Sequence, residues 1–131
     1  MKLFFDESVG SKVPAALRHI GAPATELVQP SRAGPITYGM ADLEWIAIAG
    51  AAGYLAISHD LRVLQVPAER AALVAAGLGI VFIEAGQRPR WEVLRLLLAR
   101  WEWLKQIDAH EPRPFAFILP IRGKPRQLPL A

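Results

Sequence analysis

Three aspartates stand at positions where chemistry is feasible. Asp6 closes the apolar run Lys2-Leu-Phe-Phe5, Asp42 opens Asp42-Leu-Glu-Trp-Ile-Ala-Ile-Ala-Gly50, and Asp60 lies just past Tyr54-Leu-Ala-Ile-Ser58. Carboxylates at the ends of parallel strands and at a neighbouring helix start can meet in the crevice beyond the strand carboxyl ends, where open α/β sheets build their sites. Sharing that crevice, they repel one another unless protons or a divalent cation neutralise them. Hard oxygen donors of this kind suit Mg²⁺ or Mn²⁺. Phosphodiester hydrolysis needs charge neutralised on the phosphoryl oxygens and an activated water, and bound metal ions supply both. Asp6, Asp42 and Asp60 are therefore the expected catalytic metal ligands of a nuclease. Taken singly each has an ordinary reading, Asp42 as a helix cap and the other two as solvated turn residues.

Glu7 and Glu44 are further candidates for the metal site, as ligands or as groups that orient water. Asp42 and Glu44 are two residues apart, about 200° around a regular helix. Both can reach one ion only if Asp42 sits at the cap.

The elements that must position these groups follow from patterning. Lys2–Phe5 reads as a strand buried on both faces. Ser11 to Ile20 reads as a helix stopped by Gly21, and Ala24 to Val28 as a second strand. A loop with two prolines and two glycines leads to the helix Ala41 to Ala52, which Gly53 ends, and then to the strand Tyr54 to Ser58. Pro67 to Ala76 is an expected helix, Ile80–Ile83 a fourth strand, Glu84 to Pro89 a turn, Arg90 to about Asp108 one long helix, and Phe115–Leu119 a fifth strand. Ile121 to Ala131, with two further prolines, is expected to be an extended tail. Alternating short strands and helices predict a single α/β domain, a five-stranded mostly parallel sheet covered on both sides.

Bulk composition narrows the function classes. With 131 residues, 53% apolar and 21% charged, the chain makes one compact domain with a core. It has no cysteine, which excludes disulfides and thiolate metal sites. The longest apolar run, Ile46 to Ile57, is too short for a bilayer, and no signal peptide is visible, so a cytoplasmic protein without a membrane partner is expected. Residues 1–85 carry six Lys/Arg against eight Asp/Glu, while residues 86–131 carry nine against four. An acidic half beside a basic half suits a polyanion. Arg62, Arg88, Arg90, Arg122, Lys124 and Arg126 are the expected RNA-binding residues. Nucleotide-loop and serine-hydrolase motifs are missing. A receiver module would need a Lys ending its last strand, where this chain runs into Pro120 and Ile121.

Phe4-Phe5-Asp6-Glu7-Ser8, Asp42-Leu-Glu44-Trp-Ile and Leu55-Ala-Ile-Ser58-His-Asp60 together resemble the PIN-like nuclease domains, in particular the short VapC-type toxin branch, over roughly residues 1–85. The resemblance implies a Mg²⁺- or Mn²⁺-dependent endoribonuclease, usually a toxin silenced by a cognate antitoxin protein. It places the metal ligands at Asp6, Asp42 and Asp60, and gives Ser58 the task of holding the last acid by hydrogen bonding. Two departures stand out. The fourth family acid, on a helix before the Asp42 position, has no counterpart, since Glu26 falls in an expected strand; Glu7 or Glu44 is left to supply it. Where relatives often carry a second Asp after the last acid, this chain has Arg62. A PIN-like RNA- or protein-binding module of weak or no activity remains the alternative. The Trp-rich final helix offers a surface for self-association, as a homodimer, or for antitoxin docking.

Overall fold

A computed structural model describes residues 1–84 and 88–130. In chain order the elements are β1 (Lys2–Phe5), α1 (Lys12–His19), β2 (Glu26–Val28), α2 (Asp42–Ala51), β3 (Leu55–Ser58), α3 (Arg62–Gln65), α4 (Pro67–Ala76), β4 (Gly79–Ile83), α5 (Arg90–Ala99), α6 (Trp101–His110), β5 (Phe115–Leu119) and β6 (Arg126–Leu128). The sheet order is β2-β1-β3-β4-β5-β6, with the first five strands parallel and β6 antiparallel to β5.

Short strands buried on both faces send alternate side chains into two cores. Leu3, Phe5, Leu55, Ile57, Val81, Ile83 and Leu119 pack with Leu17, Leu97 and Leu104 from α1, α5 and α6. Phe4, Ala56, Ile80, Phe82 and Ala116 pack instead with Trp45, Ile46, Ala49 and Leu73 from α2 and α4. The chain leaves β1 towards β2 and later returns to β3 on the other side of β1, so the strand order reverses there. That reversal opens a crevice past the carboxyl ends of β1 and β3.

Helices α2 and α4 lie in close contact. A methyl group on Gly50 would meet the Ala76 carbonyl oxygen at 2.5 Å, so only glycine permits this approach. Both helices lead back into parallel strands, which puts their N-termini at the crevice.

Three expectations are corrected. The sheet has six strands, because Arg126–Leu128 pairs with Ile118, Phe117 and Ala116 instead of trailing as an extended tail. Pro125 and Pro129 flank this strand, and as an edge it needs a partner on one side only. The expected long helix is two, α5 and α6, divided at Arg100, whose backbone (φ −111°, ψ 16°) is not helical. Apolar spacing runs through the break, so periodicity could not show it. Residues 62–65, given no element from the sequence, form the short helix α3. The expected turn from Glu84 to Pro89 lies partly outside the described residues. Among the described residues no helix is long and apolar enough to cross a membrane.

Candidate active site

Asp6, Glu7, Asp42, Asp60 and Arg62 line one crevice of about 390 Å³ at the strand reversal. Each carboxylate arrives from a different element. Asp6 follows β1, Asp42 is the first residue of α2, and Asp60 follows β3 by two residues.

Asp6 is the buried anchor, at 7% exposure. Its Oδ2 accepts from Ser58 Oγ at 2.5 Å, and its Oδ1 accepts from the Ser8 backbone amide at 3.0 Å and from Ser8 Oγ. The two hydroxyls also accept the backbone amides that follow β3. His59 N–H donates to Ser8 Oγ and Asp60 N–H to Ser58 Oγ, both at 2.9 Å. Two serines thus tie the end of β3 to the carboxylate at the end of β1. Ser58, expected to hold the last acid, holds that residue's backbone and the first acid's carboxylate. Burial pushes the Asp6 carboxyl above its ordinary range, and the Ser58 and Ser8 hydrogen bonds partly offset this.

Asp60 is held by its own neighbour. Arg62 Nε donates to Oδ1 and Nη2 to Oδ2, each at 2.8 Å, a bidentate fork. The guanidinium holds the Asp60 carboxyl below the usual carboxylate range. Arg62 itself is mostly exposed, with 80% of its side chain in solvent.

Asp42 does not cap its helix. The N-cap position is Ala41 and no side-chain cap bond forms; Asp42 Oδ1 accepts instead from Trp45 Nε1 at 2.7 Å. Being inside the helix, Asp42 cannot share an ion with Glu44, which is exposed and does not line the crevice. Glu7 lines it, and its Oε1 accepts from the Gly39 amide, where a positive φ of 73° turns the preceding loop. Glu26 sits on β2 at the opposite end of the sheet, where it accepts the Tyr54 hydroxyl at 2.5 Å and pushes that phenol up to about 12.

One acid at the site carried no sequence signal. Glu69, in the first turn of α4, lies near enough to Asp42 and Asp60 to feel their charge, although it does not line the crevice. Burial, then Asp42, then the Asp60 charge push the Glu69 carboxyl up. Its position depends on the Gly50–Ala76 approach of α2 to α4. Ser8 was likewise missed, although it lies two residues past Asp6.

The donor chemistry fits a hard divalent cation, being all carboxylate and hydroxyl oxygen. The arrangement is not yet that of a closed site. Among the described residues no three His, Cys, Asp or Glu side chains stand close enough together to hold one ion. Arg62 occupies Asp60 and the serines occupy Asp6.

The expected RNA-binding residues divide by place. Arg62 lies in the crevice. Arg88 and Arg90 line a neighbouring hollow with Ser8 and His59. Arg122 and Lys124 are exposed between β5 and β6, and Arg126 is exposed on β6.

No curated protein and no solved structure matches the chain significantly. A family model described as a PIN-like domain matches residues 1–85, the span from β1 through β4 that contains every carboxylate of the crevice. Such domains are typically nucleases, so a nuclease-type function follows in general terms. By this match over well over half of its length, the chain belongs to the PIN-like domain family.

Proposed function

We propose that the protein is a metal-dependent endoribonuclease acting as the toxin of a type II toxin–antitoxin pair. The observation that carries this reading is that Asp6, Asp42 and Asp60, from three separate elements, line one crevice at the strand reversal. Asp6, Asp42 and Asp60 would hold Mg²⁺ or Mn²⁺, with Glu7, which also lines the crevice, or Glu69 to supply a further oxygen. The bound ion supplies charge neutralisation and a more acidic water. The chain's own residues do the rest. Ser8 and Ser58 fix the Asp6 carboxylate in one orientation, so it costs little further ordering on use. Trp45 fixes Asp42. Arg62, once released from Asp60, offers a planar fork to a substrate phosphate.

The test is cleavage of RNA by purified protein with Mn²⁺ or Mg²⁺, which Asp6→Asn should abolish. Unchanged cleavage by Asp6→Asn would remove the assignment. An antitoxin would silence the crevice most simply by presenting an arginine to its carboxylates.

A second reading has one observation in its favour. The carboxylates are satisfied internally and no three converge, as expected of a PIN-like module that binds RNA without cutting it. Calorimetry with Mn²⁺ separates the two, because heat of binding lost in Asp60→Asn supports the enzyme.

A further inference from the structure

The acidic crevice does not end at Asp6. Ser8 belongs both to its wall and to the wall of a second hollow of about 240 Å³, lined also by His59, Arg88 and Arg90. Arg88 in turn belongs to a third hollow of about 210 Å³, whose walls include Arg95, Arg100 and Ile121. Three concavities thus follow one another along the carboxyl edge of the sheet, joined through Ser8 and then Arg88. The first is acidic, and the next two carry four arginines against one carboxylate, Glu92.

The same edge carries an exposed aromatic. Trp91 is 65% exposed, the most exposed large apolar side chain among the described residues, whereas Trp45 and Trp101 are buried. It lies one helical turn from Arg95, residue i+4 on α5, and three residues past Arg88, which precedes the helix. Between the acids and the arginines sits His59. Its Nδ1 lies 2.8 Å from the Ile83 carbonyl oxygen. A carbonyl only accepts, so Nδ1 carries the proton and Nε2 of the neutral ring is left as an acceptor.

We infer that a single-stranded polynucleotide runs from the acidic crevice along this edge, its phosphates on Arg88, Arg90, Arg95 and Arg100 and a base stacked on Trp91. This rests on the nuclease reading and gives it a substrate path. The arginines supply sequence-independent phosphate contacts, and an exposed aromatic beside them is the stacking platform single strands use. The strand must be single because the buried Asp6 lies within a concavity that a stiff duplex cannot enter, while an unpaired chain can bend through it. His59 Nε2, at the entrance, is placed to accept a ribose 2′-hydroxyl, a donor that DNA lacks.

The experiment measures anisotropy of a labelled single-stranded RNA of about ten nucleotides across a salt series in EDTA, so that cleavage cannot intervene. The variants are Arg88→Ala with Arg95→Ala, Trp91→Ala, and Lys105→Ala as a charge control on the solvated face of α6; thermal melting checks that each folds. Each lost arginine should lower the slope of log affinity against log salt by about 0.7. Trp91→Ala should weaken binding roughly tenfold with the slope unchanged, and Lys105→Ala should match the wild type. Equal losses from the arginine pair and from Lys105→Ala would overturn the path. So would RNA binding unchanged in the Trp91 and arginine variants while they lose association with a second protein, which would make this surface a protein interface. Binding along the path without any cutting in Mn²⁺ would remove the nuclease reading and leave the path. Cutting abolished by Asp6→Asn but unaffected by the arginine variants would do the reverse.

Discussion

Ser58→Ala is the substitution whose effect the structure specifies most closely. Ser58 is fully buried, donates to Asp6 at 2.5 Å and accepts Asp60 N–H at 2.9 Å. Replacing it by alanine deletes a hydrogen bond to a charged group, worth about 1.5–3 kcal/mol. It also frees an amide beside a partly exposed residue, where water can substitute at lower cost. Asp6 keeps its two bonds from Ser8, so the net loss at neutral pH should be about 2 kcal/mol. For a domain of this size that lowers the melting temperature by roughly 6–10 °C.

The loss should depend on pH, with a sign that follows from Asp6. Burial raises its folded value above the ordinary 3.8, so its contribution to stability is fully present below that value and is lost as pH rises through the folded one. Ser58 stabilises the ionised form, and its removal raises the folded value further. The deficit of the variant should therefore be smallest in acid, about 1 kcal/mol where Asp6 is protonated, and grow towards neutrality. Urea unfolding in EDTA at several pH values between those limits measures it. A deficit equal at all pH values, or under about 0.5 kcal/mol throughout, would refute the reasoning.

Four other outcomes are expected. Arg62→Ala should tighten Mn²⁺ binding in calorimetry, by less than about tenfold since an exposed pair is a weak competitor; weaker binding would mean that Arg62 helps hold the site. Glu69→Gln should flatten the pH dependence of melting in EDTA, because the raised Glu69 carboxyl adds stability below its ordinary 4.5 that is lost as pH rises through its folded value. Gly50→Ala should cost about 1–3 kcal/mol through overpacking against Ala76 and, by parting α2 from α4, weaken Mn²⁺ binding; wild-type melting would show that the helices can shift. Mn²⁺ at about 100 times its dissociation constant should stabilise the wild type by about 2.7 kcal/mol, an increase absent from Asp6→Asn.

Much of the scaffold was legible in the chain. Phe115–Leu119 and Pro67–Ala76 have the bounds read from composition and punctuation, because a doubly buried strand and a Pro-opened, Gly-stopped helix leave local signatures. The strand Arg126–Leu128 left none. Its polar residues form an edge that only the neighbouring β5 stabilises. The break at Arg100 was hidden for a related reason, since both helices present the same apolar face to one core.

The site divides the same way. Strand and helix ends placed Asp6, Asp42 and Asp60 at the sheet's carboxyl edge by local rules alone, since residue type and punctuation are properties of short segments. Which side chains touch is a property of the packed whole. Helix contact through Gly50 brings Glu69 to Asp42, and the pairing of β1 with β3 lets two serines share one carboxylate. Arg62 claims Asp60 because a short helical turn folds it back. These relations join residues up to 52 positions apart, and no periodicity in the chain encodes them.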